Sequence, residues 1–281
     1  MENKIASDKY TFSSMIIETV SLISTQIGKR TLRFFANIEG IIPNTLIGDK
    51  NRLQQILHTM LSNSVGHTEW GFVGLFITVE KQDEKQVWLK FTITDTGSGI
   101  TPEEHAGLFG DSVQEDKKSF GLAIVKQLCA EIGGNISLES DNIKGCTFTM
   151  ILPQGIEASD PFAIVEAPEK KKVLIYEGRS VYLNSMSWAL EKMGVPNVAV
   201  TNEDDFSKAL FREEWFYVFS GYGLYDRIKP LMERNDFPGG KKPPLALMEE
   251  FGVEDKIPDV HFFALPVQSL SIANVLNAKK H

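Results

Sequence analysis

Residues 95–100 read DTGSGI, and residues 116–126 read DKKSFGLAIVK. The first stretch closes an alternating apolar segment, with Val87, Leu89, Phe91 and Ile93 on one side and Asp95 at its end. Gly97 and Gly99 follow, and glycine lets a backbone turn where a side chain would obstruct it. The second stretch runs into a helical pattern with one glycine, Gly121, at its head. A carboxylate at a strand end can accept a hydrogen bond from the amino group of a base. A helix N-terminus can take phosphate. The two stretches together predict a strand ending in a ligand-reading acid, a loop, and a helix serving the same pocket.

Periodicity extends this reading in both directions. Residues 13–29 predict a helix with Ile16, Val20, Ile23 and Ile27 on one face. Residues 31–38 predict a strand. Asp49 is a candidate N-cap for a helix whose inner face is Leu53, Ile56, Leu57, Met60 and Leu61. Strands are expected at 72–80 and 87–95, and a helix at 120–132 stopped by Gly133 and Gly134. A hairpin at 135–140 and 145–152 closes a two-layer α+β sandwich spanning residues 1–153. Residues 154–171 carry proline and acid with little periodicity and read as a linker. Residues 172–281 alternate strands (172–176, 197–200, 215–220, 244–248, 260–264) with helices (180–193, 204–213, 224–234, 267–278). That pattern predicts a (βα)5 parallel sheet, so the fold class is α/β.

Composition narrows the function classes. The 281 residues carry a formal net charge of −8, and acids outnumber bases in both halves, which argues against a nucleic-acid binder. Lys170, Lys171 and Lys172 read as a solvated linker end. No apolar run approaches the length of a membrane helix, so no membrane contact and a cytoplasmic location are expected, with any membrane anchor in a longer parent protein. Cys129 and Cys146 show no metal-ligand spacing and fit apolar cores in a reducing compartment.

Four stretches, in order, carry a family resemblance: GDKNRLQQILHTMLSNSVGHT (48–68), DTGSGITPEE (95–104), GLAIVKQLCAEIGGNISLES (121–140) and GCTFTMILP (145–153). Over residues 10–153 the chain resembles the ATP-binding domain of sensor histidine kinases, in the superfamily shared with gyrase, Hsp90 and MutL. The resemblance implies ATP or ADP as ligand and Mg²⁺ as its companion. It implies Asn63 as the Mg²⁺ ligand and Asp95 as the adenine reader. Gly97, Gly99, Gly121 and Leu122 are the remaining cofactor-binding positions it implies. The departures lie at the phosphate end. The family's lysine three positions after the asparagine is Gly66 here, and its asparagine four positions before is Thr59. The glycine box is reduced to KKSFGL, with Phe120 where a glycine is usual and Lys117 and Lys118 as substitute cations. No histidine lies on a leading helix, so the chain is not expected to autophosphorylate. Its implied partners are the phospho-accepting histidine domain of the same or another kinase, and a second copy of the chain.

The βα repeat resembles a response-regulator receiver, as found in hybrid histidine kinases. Receiver chemistry uses acids, a hydroxyl and a lysine at the strand ends. Here Glu177 and Gly178 follow the first strand, Ser220 stands at the phospho-acceptor position, Met248 at the hydroxyl position, and Leu265 before Pro266 at the lysine position. These substitutions imply a receiver emptied of phosphotransfer. The two functional expectations are the ATP-binding and pseudo-receiver portion of a hybrid sensor histidine kinase, or an inactive scaffold that regulates a partner kinase by binding.

Overall fold

The structure, a computed structural model, describes residues 7–28, 30–101, 117–141, 145–249 and 257–278. The chain divides into two compact units, Met1–Ala36 with Ile41–Phe162, and Asn37–Gly40 with Ala163–His281.

The first unit is a seven-stranded sheet covered by helices. Its strands are β1 (Asp8–Thr11), β2 (Arg33–Ile38), β3 (Pro43–Gly48), β4 (Phe72–Gln82), β5 (Gln86–Asp95), β6 (Asn135–Asp141) and β7 (Gly145–Pro161). The order is β1-β3-β7-β5-β4-β2, with β6 paired to β7. The helices are α1 (Phe12–Ile27), α2 (Lys50–His67) and α3 (Lys117–Glu131). The alternation in β5 has the expected effect: Val87, Leu89, Phe91 and Ile93 are fully buried, while Trp88, Lys90, Thr92 and Thr94 are partly exposed. Asp49 caps α2, its Oδ1 accepting from the Arg52 N–H at 3.0 Å, and Leu53, Ile56, Leu57, Met60 and Leu61 are buried beneath it. Burial also pushes the Cys129 thiol on α3 up to about 12, which keeps it neutral and inert.

Three features depart from the sequence reading. Helix α3 starts at Lys117 rather than 120, so Gly121 lies about a turn inside the helix and not at its head. Strands β1 and β3 carry no alternation that would reveal them. Finally, β7 continues through residues 154–161, the stretch that reads as linker, because Gly155, Ile156, Ala158 and Pro161 pair with β3. The side chains of Lys117, Lys118 and Phe120 lie outside the described residues.

The second unit is a five-stranded, all-parallel sheet: β8 (Val173–Tyr176), β9 (Asn197–Val200), β10 (Tyr217–Gly221), β11 (Leu245–Glu249) and β12 (Val260–Ala264). The order β12-β11-β10-β8-β9 is that of a doubly wound sheet whose direction reverses beside its first strand. Helices α4 (Ser180–Lys192), α5 (Glu203–Leu210), α6 (Tyr225–Met232) and α7 (Ser269–Asn277) connect or follow the strands. Strands β8 and β10 are buried along their whole length, as helices on both faces require.

Candidate functional site

The first unit gathers four segments around Asp95. Strand β5 delivers its carboxyl at 5% exposure. Oδ1 accepts from the backbone N–H of Gly97 at 3.0 Å and of Cys146 at 3.3 Å. Oδ2 takes no hydrogen bond among the described residues. The carboxylate is therefore split: one oxygen shapes the turn, and the other has no hydrogen-bond partner among the described residues.

Steric facts explain the glycines around it. A Cβ at Gly97 would come within 2.4 Å of the His67 carbonyl oxygen, at the end of α2. A Cβ at Gly145 would lie 1.9 Å from the Asp95 carbonyl oxygen, and φ there is +93°. Both positions admit only glycine while the backbones stay this close. Gly99 turns the loop with φ +72°. The loop is then braced: Ser140 Oγ accepts from the Ile100 N–H at 2.8 Å and donates to the Gly145 carbonyl at 3.2 Å. The end of α2 is tied in place as well, with Arg30 donating to the carbonyls of Val65 and Thr68 at 3.1 and 2.6 Å, a favourable place for a cation.

Asn63 lies on α2, partly exposed, and faces α3. A Cβ at Gly121 would meet its Nδ2 at 3.3 Å and Thr59 Cγ2 at 3.7 Å. The Asn63 amide makes no hydrogen bond among the described residues. Leu122, next along α3, is 4% exposed and belongs to the core. Thus Asn63 and Gly121 meet at one place, and Asp95, Gly97 and Gly99 meet at another across the end of α2. Gly66 stands exposed near the end of α2, with nothing within 4 Å of where its side chain would be. Among the described residues no group of three or more His, Cys, Asp or Glu side chains is placed to hold a metal ion. His58 and His67 are exposed. Ser140 and the Cys146 N–H were missed from sequence, because their part is played through backbone and a lone hydroxyl; only the proximity of Gly145 to a second glycine-rich turn could have hinted at it.

The strand ends of the second unit hold a different arrangement. Glu177, after β8, is 2% exposed. Its Oε1 accepts from the Arg179 N–H at 2.9 Å and from Arg179 Nε at 3.0 Å, and its Oε2 from Arg179 Nη2 at 2.9 Å. The acid is saturated by a fork two residues away. Ser220 is fully buried, and its hydroxyl donates to the Gly221 carbonyl at 3.5 Å. Met248 and Leu265 are buried. Arg179 was missed from sequence; a cation two positions after a strand-end acid is its only signal.

Comparison with known proteins bears on the family and the fold. Residues 48–156 match the family described as histidine kinase-, DNA gyrase B-, and HSP90-like ATPase. Hybrid signal transduction histidine kinase B of Dictyostelium discoideum is 32% identical over 158 residues, covering 53% of this chain and 8% of that protein. Signal transduction histidine-protein kinase BarA of Escherichia coli K12 is 28% identical over 172 residues, covering 58% of this chain and 18% of that protein. The chain thus spans less than a fifth of these curated relatives. Full-length ShkA, whose crystal structure is in complex with AMPPNP, superposes with a TM-score of 0.76 at 20% identity, over 100% of this chain and 59% of that one. At that identity the likeness speaks for the fold. No helix among the described residues is long and apolar enough to cross a membrane. Residues 48–156 are a domain of the histidine kinase-, DNA gyrase B-, and HSP90-like ATPase family, and the chain is homologous to the ATP-binding portion of hybrid histidine kinases.

Proposed function

We propose that the first unit binds an adenine nucleotide as the ATP-binding portion of a hybrid sensor histidine kinase in a two-component phosphorelay. The observation that carries this is the divided Asp95 carboxylate, one oxygen fixed by Gly97 and Cys146 and the other left to accept from adenine. Asn63 would hold Mg²⁺ beside the phosphates, with Gly121 giving the close approach. Bound ATP would supply the γ-phosphoryl group. The chain's own residues orient the base and keep the phosphate end against α2. The acceptor histidine belongs to a separate segment of the same or a partner kinase, and a second copy of the chain is a candidate partner. The second unit is read as a receiver-like domain that has lost its phosphotransfer chemistry.

The same chain supports a second reading, an inactive scaffold, because Gly66 leaves the phosphates without their usual lysine. Calorimetry with ADP and Mg-ATP separates the two. Binding is expected with similar affinities for both nucleotides, since the γ-phosphate finds few donors; no binding of either would favour the scaffold. The space around Gly66 accommodates a lysine, so Gly66→Lys should tighten ATP by roughly tenfold, about 1.4 kcal/mol. Gly66→Ala is the control: it should steady α2 by about 1 kcal/mol without that gain.

An acyl phosphate needs a carboxylate nucleophile, and the Ser220 position cannot form one. Incubation with acetyl phosphate and Mg²⁺ should leave the intact mass of the chain unchanged. A stoichiometric gain of one phosphoryl group in the second unit would contradict the reading of a receiver emptied of phosphotransfer.

A further inference from the structure

Two charges in the first unit sit where their own helices disfavour them. Arg52 lies in the first turn of α2, where the macrodipole repels a cation, and Glu131 ends α3, where it repels an anion. Each is placed against local preference, and each meets the other: Arg52 Nε is 3.2 Å from Glu131 Oε2. Both ends of the pair are braced. Arg52 Nη1 reaches Asp49 Oδ2 at 3.3 Å, and Gln127 Nε2 donates to Glu131 Oε1 at 2.8 Å. The Arg52 side chain is 9% exposed and that of Glu131 31%, so the pair is partly shielded from solvent and screened less than a fully exposed bridge.

The pair has a geometric counterpart. Contact of Arg52 with Glu131, and of Asn63 with Gly121, makes α2 and α3 antiparallel. Eleven residues separate Arg52 from Asn63, and ten separate Gly121 from Glu131. At about 1.5 Å per residue these are roughly equal lengths of helix, about 16 and 15 Å. The two helices are therefore held in register at two points, one an ion pair and the other the candidate phosphate end.

We propose that the Arg52–Glu131 pair is a positioning element for nucleotide phosphates: it pins the far end of α3 to α2 and so holds Gly121 at Asn63. The inference rests on the reading of this unit as a nucleotide site, and it adds residues that do not touch the ligand. Adenine is held by Asp95 on β5, which the pair does not touch. A slip of α3 along α2 should then weaken ligands in proportion to their phosphates and leave the base contact intact.

The test is calorimetric binding of adenosine, ADP and Mg-ATP to the full chain and to Glu131→Lys, which sets two cations against each other, with Glu131→Gln as the milder variant. Glu131→Lys should weaken ADP and ATP about tenfold, Glu131→Gln about threefold, and both should keep adenosine affinity within about twofold of the parent. Thermal unfolding should fall only in part with the lost pair, because Arg52 keeps Asp49 and either substitution removes an anion from a helix C-terminus that disfavours it. Equal loss for adenosine and ADP would mean general damage and would overturn the positioning role, as would unchanged ADP binding in both variants. If the parent chain binds neither adenosine nor ADP, the nucleotide reading itself falls and this inference with it.

Discussion

Asp95→Asn is expected to abolish measurable ADP and ATP binding, a loss of roughly 100-fold or more, about 2.7 kcal/mol, while leaving the fold intact. The reason lies in how the carboxylate is divided. Oδ1 accepts two backbone N–H groups, from Gly97 and Cys146. An asparagine keeps an oxygen there, because both partners are donors. Its Nδ2 must then take the place of Oδ2 and present a donor to the donating amino group of adenine. Donor faces donor, and the contact is lost. Asp95→Ala should behave differently. It removes the acceptor from two N–H groups, one in a partly exposed turn and one on buried Cys146, at about 1–3 kcal/mol for a buried group left unpaired. Binding and stability should fall together in the alanine variant, but binding alone in the asparagine variant. Calorimetry paired with thermal unfolding reads both. An asparagine variant that binds ADP like the parent would show that Asp95 only shapes its loop.

The second large effect belongs to the other unit. Arg179→Met is expected to destabilise it by about 3 kcal/mol, the low end for breaking a buried ion pair. The low end applies because Arg179 is 27% exposed, whereas the Glu177 side chain is only 3% exposed. The substitution strips two side-chain donors from a buried carboxylate and leaves it the Arg179 backbone N–H. For a unit of this size the melting temperature should drop by roughly 10–20 °C. Replacing both partners, Glu177→Gln with Arg179→Met, should recover most of that loss, since the penalty comes from an unpaired charge rather than from a missing contact. If the double variant is as unstable as the single one, the pair is not what holds these strand ends together.

The physical basis of legibility differs between elements. Helix α2 could be read because cap and apolar stripe agree: Asp49 at its start and five buried residues at helical spacing. Strand β5 could be read because only one of its faces is covered. The parallel sheet could be read because buried strands and amphipathic helices alternate at regular spacing. Strand β1, DKYT, is four residues long with a single buried side chain, and β3 begins with proline and asparagine. Both exist because a partner lies beside them, which no local pattern can announce. The extension of β7 was hidden by Pro153. That residue pairs with Trp88 on one side. On the other it falls between the end of the β6 pairing at Ile151 and the start of the β3 pairing at Gly155, where a missing donor costs little. At the site, Asp95, Gly97 and Gly99 were legible as a local turn. The Cys146 N–H and Ser140 were not, because they reach Asp95 and its loop across the sheet.

That continuation of β7 sets where the first unit can be cut. Every pairing partner of β3 on β7, from Gly155 to Pro161, lies beyond residue 153, and β1 pairs with β3 alone. Phe162 is 1% exposed, and its ring meets Phe12 edge-on with centroids 5.9 Å apart. A boundary drawn at the apparent end of the nucleotide-binding pattern would strand two β-strands and open the face that Phe12 closes. Recombination that transplants this unit between proteins is compatible with the fold only when the junction falls after Phe162.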